Sequence, residues 1–253
     1  MRRFTRMLAV LLALALLPCC VSAEGALRYE GDGFDTPEAA VTCYLEGLRD
    51  LDLDRMLGAF AWETQVEHFD IKAYYGRMHA YLPTMVPHLP DTDPFLRRLN
   101  LEQIRSQQIT AIVYSLEAYV MGNDYPEMKN VLLREEEEID AFLASYDLGR
   151  LQALSGMTDI RFLTPDMLTE GRFSEPRIRE NFVKQTAHYG ADDIVNVPAM
   201  ADVGDLAVFC CPTVARYGDR WYLVSVGSVI LNMLSIDMVH QAFIVFDPAD
   251  YPF

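Results

Sequence analysis

The chain has 253 residues, 37 acidic against 21 basic, and a formal net charge of −16. That length allows one large domain or two small ones. The acidic balance disfavours nucleic acid, whose phosphates call for a basic surface, and it disfavours electrostatic docking to anionic membranes.

Residues 1–23 read as a secretory signal peptide. Arg2, Arg3 and Arg6 form a basic start, and Met7 to Leu17 form an apolar run. The run is shorter than the roughly 20 residues a membrane helix needs. Val21, Ser22 and Ala23 supply small residues before a cut ahead of Glu24. Lipoprotein processing is the alternative, with Cys19 or Cys20 acylated, although Pro18 or Cys19 then stands where a small residue is normal. The leader holds three arginines and no acid, so the exported chain carries 18 bases against 37 acids, a net charge of −19. An extracytoplasmic chain of residues 24–253 is expected, folded as a single α+β domain with no membrane span.

Residues 34–61 organise the rest. Thr36 is an N-cap residue, Pro37 suits the first helical position, and Glu38 faces the positive end of the helix dipole. Val41, Leu45 and Leu48 recur at helical spacing beside Tyr44. A second stripe of Ala40, Cys43 and Gly47 lets another element approach closely. The spacing predicts a helix over 36–50 lying against a sheet. Asp50, Asp52 and Asp54 begin like a calcium loop, but the glycine and glutamate of an EF-hand would fall on Arg55 and Ala61. The better reading is a turn in which Asp52 or Asp54 caps a helix over 56–60.

Further along, Trp62, Val66 and Phe69 suggest a short packed segment, and residues 72–82 look helical. Pro83, Pro87, Pro90 and Pro94 punctuate a loop, in which 91–94 resembles a turn or helix start. Asn100 with Gln103 reads as a capping box opening a long helix that Gly122 closes. Residues 129–134 suggest a short strand, and Glu135 to Glu138 open another helix. Residues 160–163 read as a brief strand, Thr164-Pro165 as a helical turn, and 175–189 as a helix stopped by Gly190. The last third changes character. Apolar runs at 194–199, 206–214 and 221–226, separated by turns around Gly204-Asp205 and Gly218-Asp219, predict an antiparallel meander. The third run is apolar at both phases, as a strand covered on both faces would be. A helical turn at 230–234 and a strand at 243–246 follow.

Three cysteines survive the leader: Cys43, Cys210 and Cys211. The number is odd and no pair has CxxC metal spacing. Cys210 and Cys211 point to opposite faces of a strand, so one of them could meet Cys43 in a disulfide; the other reading is free thiols packed as small apolar residues.

The capped stretch TPEAAVTCYLEGLRDLDLDRMLGAFA, followed far downstream by YGDRWYLVSVGS, resembles NTF2-like (cystatin-like) domains. That resemblance implies a first helix packed into a curved antiparallel sheet at the C-terminal end, with 70–157 as a helical elaboration. RFLTPDMLTEGRFSEPRIRENFVKQTAHYGADD with the same YGDRWYLVSVGS also resembles uncharacterised secreted proteins of anaerobic gut-type bacteria. No catalytic motif comes with either likeness, since function lives in the pocket and not in the fold.

The chain has no GxSxG, HExxH, GxGxxG or GxxxxGKS, so no catalytic residue, metal or cofactor is assigned. Five histidines, His68, His79, His88, His188 and His240, are the available acid–base groups. The expected role is a secreted, non-catalytic domain that binds a small molecule or a cell-envelope partner. An isomerase- or hydrolase-type pocket enzyme is the alternative. Tyr44, Trp62, Tyr114 and Trp221 are the residues predicted to line a pocket between the first helix and the sheet.

Overall fold

The computed structural model describes residues 30–81, 88–122, 132–234 and 242–249. The leader with Cys19 and Cys20, residues 129–131 of the strand expected at 129–134, and His240 lie outside these. The described elements make an α+β fold: helices first, a helical middle segment, and antiparallel sheet toward the C-terminal end.

Helix α1 (Pro37–Asp50) begins as its sequence dictates. Thr36 Oγ1 accepts from Ala39 N at 3.1 Å, Pro37 sits at the start, and Leu51 leaves the helix in the left-handed region with φ +53°. Asp52 caps α2 (Leu53–Gly58) by accepting from Arg55 N. The small stripe serves this turn. A Cβ on Gly47 would stand 2.7 Å from Met56 N and 3.1 Å from Asp52 O, so α1 and α2 meet at a distance that only glycine allows. Glu46 and Asp50 pair with Arg55 across the same corner. Next come α3 (Trp62–His68) and α4 (Ile71–Met78).

Helix α5 (Pro94–Met121) starts six residues before Asn100. Asp93 supplies the cap, accepting from Phe95 N at 2.8 Å, and Pro94 takes the first turn. Asn100 is buried and does other work: its amide exchanges two hydrogen bonds with the Leu89 backbone, at 2.8 and 2.9 Å. A capping-box pattern was therefore a tertiary clamp on the preceding loop. Gly122 closes the helix at φ +87°, as expected. α6 (Glu136–Ala144) has its acids in the first turn, and α7 (Gly149–Ala153) follows. Residues 132–134 are not a strand.

Strand β1 (Thr158–Phe162) leads through α8 (Pro165–Leu168) to α9 (Pro176–Tyr189), which Gly190 ends. The remaining strands are β2 (Asp193–Asn196), β3 (Ala199–Val203), β4 (Leu206–Cys210), β5 (Thr213–Tyr217) and β6 (Arg220–Ser225); α10 (Val229–Met233) and β7 (Ile244–Phe246) close the described chain. One antiparallel sheet has the order β1-β3-β4-β7 and the other β2-β5-β6. β2 with β3 and β4 with β5 are two long strands, each interrupted once, folded over a hairpin at Gly204-Asp205. Their register is continuous across both sheets: Val203 faces Leu206, Ala199 faces Cys210, Asn196 faces Thr213, and Asp193 faces Arg216. The interruptions fall at Pro198 and at Pro212, each of which lacks an N–H for the ladder. There the ladder is interrupted, so the run read as one strand over 206–214 is two.

Val41, Tyr44, Leu45 and Leu48 of α1 are at most 1% exposed and pack with Leu223, Val214, Val208 and Cys210 of the sheet. Each such aliphatic side chain contributes roughly 1.5–3 kcal/mol. Tyr222 and Val224 look the other way, into a cluster with Ala61 and Ile194 under Phe182 and Tyr189 of α9. β6 is covered on both faces, as its unbroken apolar run predicts. Helix α5 is tied to the sheet by polar contacts: buried Ser115 Oγ accepts from Ala242 N and Phe243 N at 2.7 and 3.0 Å, and Gln108 Oε1 accepts from Val226 N. Cys43, Cys210 and Cys211 are free thiols, with Cys43 directed at the Arg55 carbonyl. Among the described residues, no helix is long and apolar enough to cross a membrane.

Candidate functional site

A cleft of about 740 Å³ opens at the outer edge of β2. Its floor is residues 193–198. One wall is the exit of β1, from Phe162 to Pro165; another is α9, with Arg179, Glu180, Phe182, Val183 and Thr186; Pro37 and Glu38 at the head of α1 close a third side. Val183 is 69% and Phe162 38% exposed, so the walls present apolar surface to solvent.

The edge of β2 is open for a reason visible in the register. β1 runs beside β3 with Phe162 opposite Ala199, and Leu163 N donates to Pro198 O at 3.0 Å. One further ladder step would set Pro165 against Asn196. Proline has no N–H to give, and here it starts α8. The chain leaves, and among the described residues no strand pairs with β2 on that side. Val197 N donates to Pro212 O, which fixes the phase of the β2–β5 ladder. Antiparallel bonds alternate along a strand, so the backbone groups of Ile194 and Asn196 face the cleft. Asp193 Oδ1 accepts from Ile194 N at 2.8 Å. The Asn196 side chain is 5% exposed: its Nδ2 donates to Thr213 Oγ1, while its Oδ1 has no hydrogen-bond partner among the described residues. At the far edge of the same sheet the contrast is plain. There Phe34 exchanges two backbone bonds with Trp221, and residues 59–61 bond Leu223 on both its groups.

The four residues predicted to line a pocket lie outside this cleft. Tyr44 and Trp62 converge in the core, both ringed against Phe60, with centroids 6.1 and 4.6 Å from it. Trp62 Nε1 donates to Leu57 O; the Tyr44 hydroxyl is buried beside Cys210, and burial raises its pKa. Tyr114 is half-buried on α5. Trp221 is half-buried on β6 with the Arg216 guanidinium over its ring. Tyr44 and Trp62 therefore come together as core, Trp221 packs at the margin of the same cluster, and Tyr114 is not part of it. Beneath α1 the Tyr44 and Trp62 side chains are buried, and the cleft lies at the N-terminal end of the helix. Sequence reasoning missed the cleft because its walls come from α8, α9 and a strand exit that look ordinary singly. Thr164-Pro165 marks in the sequence where the strand over 160–163 ends, but not which strand that ending leaves unpaired.

None of His68, His79, His88 and His188 lines the cleft. Two of them form a separate buried group. His88 stacks on Phe69 with centroids 4.0 Å apart, and His188 meets the same ring edge-on at 5.7 Å, beside Tyr74 and Tyr189. Both are 4% exposed, and neither His88 ring nitrogen has a hydrogen-bond partner among the described residues. Burial lowers the His88 pKa to about 4 against a weak opposing pull from Asp91. Burial, then the Arg77 charge, does the same for His188, which also falls to about 4. Both imidazoles are neutral at pH 7. Among the described residues, no group of three or more His, Cys, Asp or Glu is placed to hold a metal ion.

No protein-family model and no curated protein matches the chain. Among solved structures it is similar to the crystal structure of a cystatin-like protein from Ruminococcus gnavus, at 13% identity and a TM-score of 0.43. The match covers 75% of this chain and 39% of that one, so the chain spans less than half of the other protein's length. The α+β class rests on the elements described above and not on that likeness.

Proposed function

We propose that this protein is an exported, non-catalytic domain of NTF2-like kind that holds a ligand in the cleft beside β2, either a small molecule or part of a cell-envelope partner. The observation that carries the reading is the cleft itself. Its volume lies in the range of ligand sites, roughly 300–1,000 Å³, which are mostly apolar with a few polar groups. Phe162, Phe173, Phe182, Val183 and Ile194 supply the apolar lining, and the groups of Ile194 and Asn196 supply the polar minority. The leader supports export.

Nile red, whose emission shifts to the blue in apolar surroundings, tests the site. Native protein is expected to shift the dye, and Val183→Trp to suppress the shift by filling the cleft. Val183 is exposed, so the variant keeps the core. No shift with the native protein, or one that Val183→Trp leaves unchanged, refutes the ligand site. N-terminal sequencing of chain recovered outside the cytoplasm tests export, with Glu24 as the expected first residue.

A further inference from the structure

Resting on the reading of this cleft as the ligand site, we propose that its ligand is an extended, cationic polypeptide segment, added to β2 as a further strand. The ladder carries the argument. Even-numbered residues of the long strand 193–203 turn their backbone groups outward: Met200 faces Arg161 and Pro198 accepts from Leu163, and the same phase puts Asn196 and Ile194 at the open edge. Asp193 already occupies the Ile194 N–H. Among the described residues the Ile194 carbonyl and both backbone groups of Asn196 remain, spaced as β1 finds their counterparts on β3. A strand entering where β1 departs meets donors and acceptors at the repeat of a peptide, which an apolar small molecule does not offer. Edge strands of this kind are the usual template for strand addition.

The two faces of β2 then set the side chains of the occupant. Ile194 packs toward Phe182 of α9, while Val195 packs into the core cluster of α1. Asp193 shares the phase of Val195, and Glu38 stands at the α1 side of the cleft. Side chains of an added strand alternate in the same way. One set meets Phe182 and Val183 and is apolar; the other meets Asp193 and Glu38 and is basic. On the α9 side Lys184 pairs with Glu180 at 2.8 Å, and Arg179 supplies a positive charge; on the α1 side Asp193 stands across the ladder from Arg216, and Glu38 is the acid that has no ion pair among the described residues. The net charge of −16 acts in the same direction.

The test is selection of a phage-displayed random heptapeptide library on the full-length protein, followed by synthesis of the selected peptides. Binding is expected from peptides that alternate apolar and basic residues. It is expected to fall at least tenfold in Val183→Trp, in Glu38→Lys, and when alternate peptide amides are N-methylated in one phase, with the other phase neutral. Equal loss from both methylation phases, or selection of no peptide sensitive to Val183→Trp, overturns strand addition. If Nile red still binds in a Val183-dependent way, the cleft reading survives that failure; if the dye fails too, both fall.

Discussion

The neutral pair His88 and His188 makes stability depend on pH in a window where carboxylates contribute little. An unfolded histidine titrates near 6.5, and each of these falls to about 4 on folding. The unfolded chain therefore binds protons that the folded chain refuses. The stabilisation is complete above pH 6.5 and is lost as pH falls toward 4. At about 1.4 kcal/mol per pH unit, each histidine is worth about 3 kcal/mol over the whole window and about 2 kcal/mol between pH 7 and pH 5. The pair then removes about 4 kcal/mol by pH 5, a large share of the roughly 5–15 kcal/mol typical of domains. The position of His188 in the last turn of α9 favours its charged form by only about 0.3–1 kcal/mol, so burial wins. Urea unfolding at pH 7 and pH 5 measures the drop. His88→Phe preserves an aromatic stack on Phe69 and removes the titration, so its drop is expected to be about 2 kcal/mol smaller. An equal drop in parent and variant refutes the assignment.

Other perturbations follow from particular contacts. Thr36→Ala removes the α1 cap and costs about 1 kcal/mol in thermal or urea unfolding. Gly47→Ala places a Cβ against Met56 N and Asp52 O; it costs about 1–3 kcal/mol by the same measurement. Ser115→Ala leaves the Ala242 and Phe243 amides without their acceptor, costing about 2 kcal/mol, and hydrogen exchange across 242–246 is expected to accelerate. Burial raises the Cys211 thiol to about 12 and Cys210 higher still; maleimide mapping by mass spectrometry is expected to leave both unmodified in the native protein and to label both in urea.

Local rules were enough wherever the chain meets only itself. Thr36, Asp52, Gly122 and Gly190 act at the helix ends their residue types announce, and the Gly-Asp turns at 204 and 218 sit between strands as written. The rules failed where a residue serves a distant partner. Asn100 looked like a cap because its spacing to Gln103 is right, yet its amide spans to Leu89. Pro198 and Pro212 divide strands that hydropathy alone joins. The cleft was the least legible part, since an open strand edge is defined by a neighbour that turns away, and only the three-dimensional register shows what Pro165 declines to pair.

The hairpin over 193–217 is expected to form before α1 docks. Its contacts are local in sequence, with short loops to close, whereas α1 must find a sheet surface some 160 residues downstream, a far costlier closure. Helix α1 has no complete surface to cover until that hairpin and β6 exist. Its apolar stripes are then exposed for most of the chain's synthesis, and pulse-labelled hydrogen exchange should protect 193–217 before 37–50. Protection of 37–50 before 193–217 would refute this order and mean that α1 finds its cover elsewhere than on the hairpin.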